Sequence, residues 1–299
     1  MDIRNVQKTG NMFYVYLPTN WCKQFNIKAA SKVTTYQNND GSLSISADIK
    51  EKELQKLDLK LSKENQNNIN KLIVACYVNP LKSFTIHLEK ELDISKLLLQ
   101  KKLLSVELVE FDRKNISCES SFSVDNPLSL LRTMIRKIKN LIYIMSKNYN
   151  KELIERYEEE IDRSNMHINK SVISMITHNK PAKHKIIELH YMSNIARDLE
   201  KLVDHFKEIK PIEKRYISII EKAIDELDKI FSGLDNRKNF KFDYNIALNF
   251  SNLALEVPYL EVKNKQSYHK VRVKSALESI SEILMNWSIT EEISRKNKN

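Results

Sequence analysis

Glu158 and Asp162 stand four residues apart, and Glu200 and Asp204 repeat that spacing. On a helix, positions i and i+4 lie on one face about a turn apart. Two helices that each present such a pair would offer four carboxylates to a cation. Carboxylate oxygens suit hard cations such as Mg, Mn or Ca, and divalent or iron cations are the cofactors this pattern admits. The same residues have a plainer reading. Glu155, Arg156, Glu159, Arg163, Lys201 and Lys207 surround them, and an ion-paired helix face would carry the same pattern. His167, His178, His184, His190 and His205 share this half of the chain without a ligand repeat, although His205 directly follows Asp204.

Enzyme signatures are absent. Gly10, Gly41 and Gly233 are the only glycines, too dispersed for a phosphate-cradling loop or a dinucleotide fingerprint. No G-x-S-x-G elbow or H-E-x-x-H zinc helix occurs. The expectation is a non-enzyme; a metal-dependent enzyme would need a substrate pocket beside the four carboxylates. Cys22, Cys76 and Cys118 are scattered and form neither a disulfide framework nor a zinc finger.

A second set of residues is basic. Arg4, Lys8 and Lys23 lie nearest the first strand and the first helix start, and a paired module would double them into a surface for phosphates. The whole chain supports this only weakly. Lys+Arg is 49 against 39 Asp+Glu, a formal charge of +10, but lysines outnumber arginines 38 to 11 and are spread throughout. That looks like a compositional drift, not a dedicated patch. No stretch approaches ~18 uninterrupted apolar residues, and Met1-Asp2-Ile3-Arg4 has no apolar signal core. A cytoplasmic chain without membrane insertion is expected.

The elements that must position these groups follow from pattern. Strands are predicted at Ile3 to Val6, Phe13 to Leu17, Lys32 to Gln37 and Ser42 to Ser46, with Gly10-Asn11 and Asn39-Asp40-Gly41 as turns. Pro18 opens a short helix through Phe25, whose Trp21 and Phe25 read as core. So short a module can hardly bury a sufficient core alone. Residues 48–122 read as an α+β connector: a helix over Glu64 to Val78 stopped by Pro80, a strand over Ser83 to Leu88, a helix over Ile94 to Leu103, and a hairpin of Ser105 to Phe111 with Asn115 to Ser120. From Asn126 helical periodicity takes over, with Leu128, Leu131, Ile135, Ile138, Leu141, Ile142 and Met145 at spacings of 3 and 4. Helices follow at Lys151 to Thr177 and Ala182 to Ile209, with breaks at Pro181 and Pro211. Three more follow at Ile212 to Phe231, Tyr244 to Val262 and Tyr268 to Ser294. This is a duplicated three-helix pattern, with a kink expected at Pro258.

These residues resemble a known combination. Arg4-x-Val6-Gln7-x-Thr9-Gly10, Tyr14-Val15-x-Leu17-Pro18-x-x-Trp21 and Asp40-Gly41-Ser42-Leu43-x-Ile45 resemble the AbrB/SpoVT-type swapped-hairpin DNA-binding domain in its archaeal form. Glu158-x-x-Ile161-Asp162 and Glu200-Lys201-Leu202-Val203-Asp204-His205 resemble the E(D)xxxD pattern of PhoU, the phosphate-uptake regulator. The resemblance implies an interleaved dimer that binds DNA, joined to paired three-helix bundles that can hold metal clusters on their carboxylates and that regulate phosphate transport and its signalling. Departures are plain. A family glycine is Asn11 here. The usual Gly-Asp turn before the third strand is Ala30-Ser31, which calls for another turn geometry. The second repeat offers Glu256, Glu261, Glu278 and Glu282 without the motif's aspartate.

The resulting expectation is an α+β multidomain chain. Residues 1–47 form a swapped-hairpin β domain that dimerises and contacts DNA. Residues 48–122 form the connector. Residues 123–210 and 211–299 form a pair of three-helix, PhoU-like bundles, the second degenerate. The expected function is a homodimeric, DNA-binding regulator of phosphate homeostasis. The alternative is a protein-interaction module that binds a phosphate transporter component or sensor kinase.

Overall fold

The computed structural model describes residues 3–37, 41–47, 54–91, 109–112, 114–119, 126–178, 184–210, 213–236 and 240–296. The chain divides into two compact units, Met1–Glu53 and Leu54–Asn299.

In the first unit, β1 (Gln7–Thr9) and β2 (Met12–Tyr14) pair antiparallel, with Gln7 opposite Tyr14 and Thr9 opposite Met12. The two-residue loop between them puts Gly10 at φ +62°, a left-handed backbone that needs no Cβ. The turn therefore fixes the register. The first strand forms beside it at Gln7–Thr9, not at Ile3 to Val6, although Ile3 and Val6 have the higher strand propensity. The helix α1 (Thr19–Gln24) has Pro18 at its N-cap. It ends in a Schellman motif: the Ile27 N–H donates to the Cys22 carbonyl at 2.8 Å and the Asn26 N–H to that of Lys23 at 3.3 Å. The strands β3 (Thr34–Gln37) and β4 (Leu43–Ser46) make a second hairpin; Asn39 and Asp40 lie outside the described residues.

The turn at Ala30-Ser31 is built on a left-handed residue. Ala30 takes φ +66°, and Ser31 bridges the turn, its N–H donating to the Lys28 carbonyl at 3.0 Å and its Oγ accepting from the Lys28 N–H at 2.9 Å. Alanine with a left-handed backbone costs about 1 kcal/mol. None of the described residues in this unit is buried. Phe13 is 70% exposed and Phe25 50%, so the reading of Trp21 and Phe25 as core fails within one chain, although their rings meet at a tilt with centroids 5.7 Å apart.

The second unit opens with a sheet in the order β5-β6-β8-β7, comprising β5 (Gln55–Leu61), β6 (Leu81–Leu88), β7 (Val109–Asp112) and β8 (Asn115–Glu119). β5 and β6 run parallel and are joined through α2 (Ile69–Val78), a βαβ unit. Lys63–Asn68, expected as the start of that helix, is a 3-10 segment. It carries a run of polar residues that compete with the helical backbone, and Asn65 donates to Ser62 Oγ. Val78 ends α2, and Asn79 is extended before Pro80. Ile69, Ile73 and Tyr77 of α2 pack on Phe84, Ile86 and Ile116 of the sheet. Cys76 and Cys118 are buried in the same cluster, and burial pushes both thiols up, which leaves them inert. The helix expected at Ile94 to Leu103 lies outside the described residues.

Among the described residues, six helices complete the unit: α3 (Pro127–Lys147), α4 (Lys151–His178), α5 (Ile186–Phe206), α6 (Lys214–Asp235), α7 (Tyr244–Glu256) and α8 (Lys265–Lys296). Asparagine and aspartate start four of them. Asn126, Asn150, Asp243 and Asn264 each accept a backbone N–H of the first turn. Asn264 thus begins α8 ahead of the expected Tyr268. Pro258 does not kink α7 but ends it: Val257, forced out of helical geometry by the following proline, is extended at ψ 120°.

The helices form two sets of three, joined where α3 packs on α6 and α5 on α8. One apolar core runs through both sets. Trp287 of α8, fully buried, stacks on Tyr191 of α5 and meets Phe231 of α6 and Phe242. Polar contacts edge these joints: Arg132 with Asp235 at 2.6 Å, Lys139 with Asp225 at 2.8 Å, and Ser279 donating to Asp198 at 2.6 Å.

Candidate functional site

The carboxylates lie on α4 and α5, which pack against each other. Glu158 and Asp162 are on the first half of α4, and Glu200 and Asp204 on the second half of α5. The helices are antiparallel. Lys207, the C-cap residue of α5, donates to Glu158. Asn165 Nδ2 donates to Glu200 Oε2 at 2.8 Å. These contacts put Glu158 level with Lys207 and Glu200 level with Asn165, some seven residues further along α4, a separation of roughly 10 Å at 1.5 Å per residue. Asp162 and Asp204 fall between them. Along the helix axes the four residues are therefore spread over about 10 Å of the seam.

The seam is polar over much of its length. Beyond Asn165, Asn169 donates to the Asn165 side chain at 2.9 Å, and Ser193 donates to Asn169 Oδ1 at 2.5 Å. Glu158 is only 6% exposed, and its ion pair with Lys207 is correspondingly dry. Removing one partner from a buried pair leaves a bare charge, a loss of about 3–5 kcal/mol. Among the described residues, no three His, Cys, Asp or Glu side chains come together in a way that could hold a metal ion. With Glu158 held by Lys207 and Glu200 by Asn165, the set as placed does not fit a cation. In the second set, Glu256, Glu261 and Glu282 are exposed.

Two features beside the seam escape a reading by spacing. His205 Nδ1 lies 3.0 Å from His269 Nδ1 of α8. Arg272 Nε contacts His205 Nε2 at 3.4 Å, and a guanidinium only donates, so His205 donates in turn to His269. Burial pushes His205 below the ordinary imidazole range, with Arg272, His269 and Lys207 adding to the shift and Glu208 opposing it. On the other side of α4, the connector docks: Tyr77 hydroxyl and His167 Nε2 are 3.2 Å apart, and Lys170 sits 4.1 Å over the Tyr77 ring. Only residues on different helices reveal these pairings. The nearest sequence signal is Lys207, three residues after Asp204.

The basic residues are all in the first unit and all exposed. Arg4 precedes β1. Lys8 is on β1, directly opposite Phe13, with its ammonium 5.3 Å from that ring. Lys23 is in the last turn of α1. A local signal strengthens this set. Residues 3–37 hold Arg4, Lys8, Lys23, Lys28 and Lys32 and no aspartate or glutamate. The charge of this module is thus not the mixture found in the rest of the chain.

Residues 128–210 match the PhoU domain, a span that takes in α3, α4 and α5 with the whole carboxylate seam. The matched span is 83 of the 299 residues. No curated protein and no solved structure matches the chain. Among the described residues, no helix is long and apolar enough to cross a membrane.

Proposed function

We propose that the chain is a homodimeric, DNA-binding regulator of phosphate homeostasis. Residues 1–47 supply the dimer and the DNA contact, and the helical unit senses a signal or docks a partner. The observation that supports this best is the character of residues 3–37: five cations, no carboxylate, and no buried side chain. A second copy would cover the exposed apolar residues Ile3, Val6, Met12 and Phe13 and double the cations into one surface for DNA phosphates. The motifs that resemble the AbrB/SpoVT type lie in this same segment. In the mechanism, a ligand or partner of the helical unit favours one placement of the two DNA-binding halves over another, and it acts only through its different affinity for the two. No step of this mechanism requires a bound cation.

The test is a titration of the full-length protein, and of a form lacking residues 1–47, against genomic DNA fragments at several salt concentrations. The expected result is binding by the full-length form alone, with a steep salt slope and selected fragments above background. Equal, unselective binding by both forms overturns the reading.

One observation favours the alternative, a protein-docking role for the helical unit. Tyr244, Leu248 and Leu255 share one face of α7, and Tyr259 and Val262 follow it; all five are exposed. Under this reading, Lys8→Ala with Lys23→Ala leaves partner binding and any phosphate phenotype unchanged.

A further inference from the structure

We propose that the Lys207 ammonium is the resident cation of Glu158 in the α4–α5 seam, so that this carboxylate is neutralised from within and a divalent cation reaches it only by displacing the ammonium. Lys207 is well placed for the role. It caps the C-terminal end of α5, where the helix carbonyls attract positive charge, and its own N–H is tied to the Val203 carbonyl at 3.1 Å. Its side chain is 18% exposed and that of Glu158 8%, so the pair is already desolvated and charge-matched. Glu200, at the far end of that span, has an oxygen engaged by the Asn165 amide, a neutral donor that leaves less of the carboxylate for a metal. An entering ion would have to expel a fitted ammonium and break that hydrogen bond, and its affinity falls by the free energy of both.

The second three-helix set supports the same logic independently. Lys274 of α8 is buried, and its Nζ donates to the Val257 carbonyl at 2.6 Å, where Pro258 ends α7. This set thus places a lysine ammonium at the carbonyl end of a helix, while in the first set the ammonium of the C-cap lysine reaches across to a carboxylate.

The experiment uses the full-length protein. Metal content is measured on protein purified without chelator, and melting is followed with and without EDTA and with millimolar MnCl2. The variants are K207M, which keeps length but removes charge, and E158Q/K207M. Wild type is expected to hold substoichiometric metal and to melt at the same temperature under all three conditions. K207M should melt about 5 °C or more lower, and MnCl2 should restore much of the loss. E158Q/K207M should recover without metal and ignore MnCl2. The proposal is overturned if wild type carries stoichiometric metal whose removal lowers its melting point, or if K207M matches wild type in both melting and Mn response. Should K207M not fold, the wild-type measurements and the double variant still decide: a double variant that also fails to fold counts against the proposal.

Discussion

The two units of this chain solve the burial problem in opposite ways. In Leu54–Asn299, long helices with apolar residues at spacings of 3 and 4 close on one another, and side chains such as Leu131, Ile195, Phe231 and Trp287 are fully buried. In Met1–Glu53, short hairpins and a six-residue helix leave every described side chain at least partly open to solvent. Hydrophobicity alone does not explain the difference, because the first unit has Phe13, Tyr14, Val15 and Tyr16 in a row. Two-stranded ribbons have no second layer against which to bury one face, whereas a helix bundle supplies its own. The helical unit therefore buries a core within one chain, and the described residues of the hairpin unit do not.

The largest expected effect tests the completeness of the helical unit. Trp287→Ala should lower its stability by about 3–5 kcal/mol, read from denaturant midpoints, because the indole is shared between α5, α6 and α8. A loss below about 1 kcal/mol would mean that the two sets of three helices do not depend on a common core. Phe13→Asp tests the incompleteness of the first unit. On the dimer reading, self-association by sedimentation should be lost, while the main melting transition stays where it was. A drop in that transition would show instead that the hairpins support the bundle.

A smaller effect concerns the contact between α5 and α8. The unfolded chain protonates His205 near pH 6.5, and the fold resists this because burial, Arg272, His269 and Lys207 all disfavour the imidazolium. Below pH 6.5 the unfolded state then binds more protons, so stability falls as pH drops from 7.5 to 5.5 and recovers as it rises. His205→Gln should flatten that part of the profile in thermal melts. An unchanged slope would assign the pH dependence to other groups. The smallest effect is at Ala30, where glycine relieves the left-handed backbone. Ala30→Gly should stabilise the first unit by about 0.5–1 kcal/mol, visible as slower hydrogen exchange around Lys28 to Ser31. Faster exchange there would show that the unfolded-state entropy of glycine outweighs the relief.

Much of the helical half was legible because its information is local. Leu128 to Met145 forms a stripe, and Asn126 with Pro127 marks its start, so α3 could be read within one or two residues. The connector was harder. In β5 the residues Leu57, Leu59 and Leu61 alternate with charged ones, a strand pattern absent from the elements expected above; its pairing with β6 spans 26 residues or so and leaves no local trace. The apolar pattern continues beyond Pro258 and suggests a kink, but the restriction that proline places on Val257 prevails. At the carboxylate seam, spacing identified Glu158, Asp162, Glu200 and Asp204 as two pairs. Their neighbours Lys207 and Asn165 depend on how two antiparallel helices are registered, which neither helix encodes alone.

The openness of the first unit also bears on the order of assembly. Residues 3–47 leave the ribosome before the helices do, and local contacts let a helical bundle fold quickly once it has emerged. On the dimer reading, the segment synthesised first finishes last, in a second-order step whose rate rises with the concentration of other copies. Neighbouring chains on one message would then be the natural partners, and the hairpins would stay open to one another only for as long as synthesis keeps those copies close.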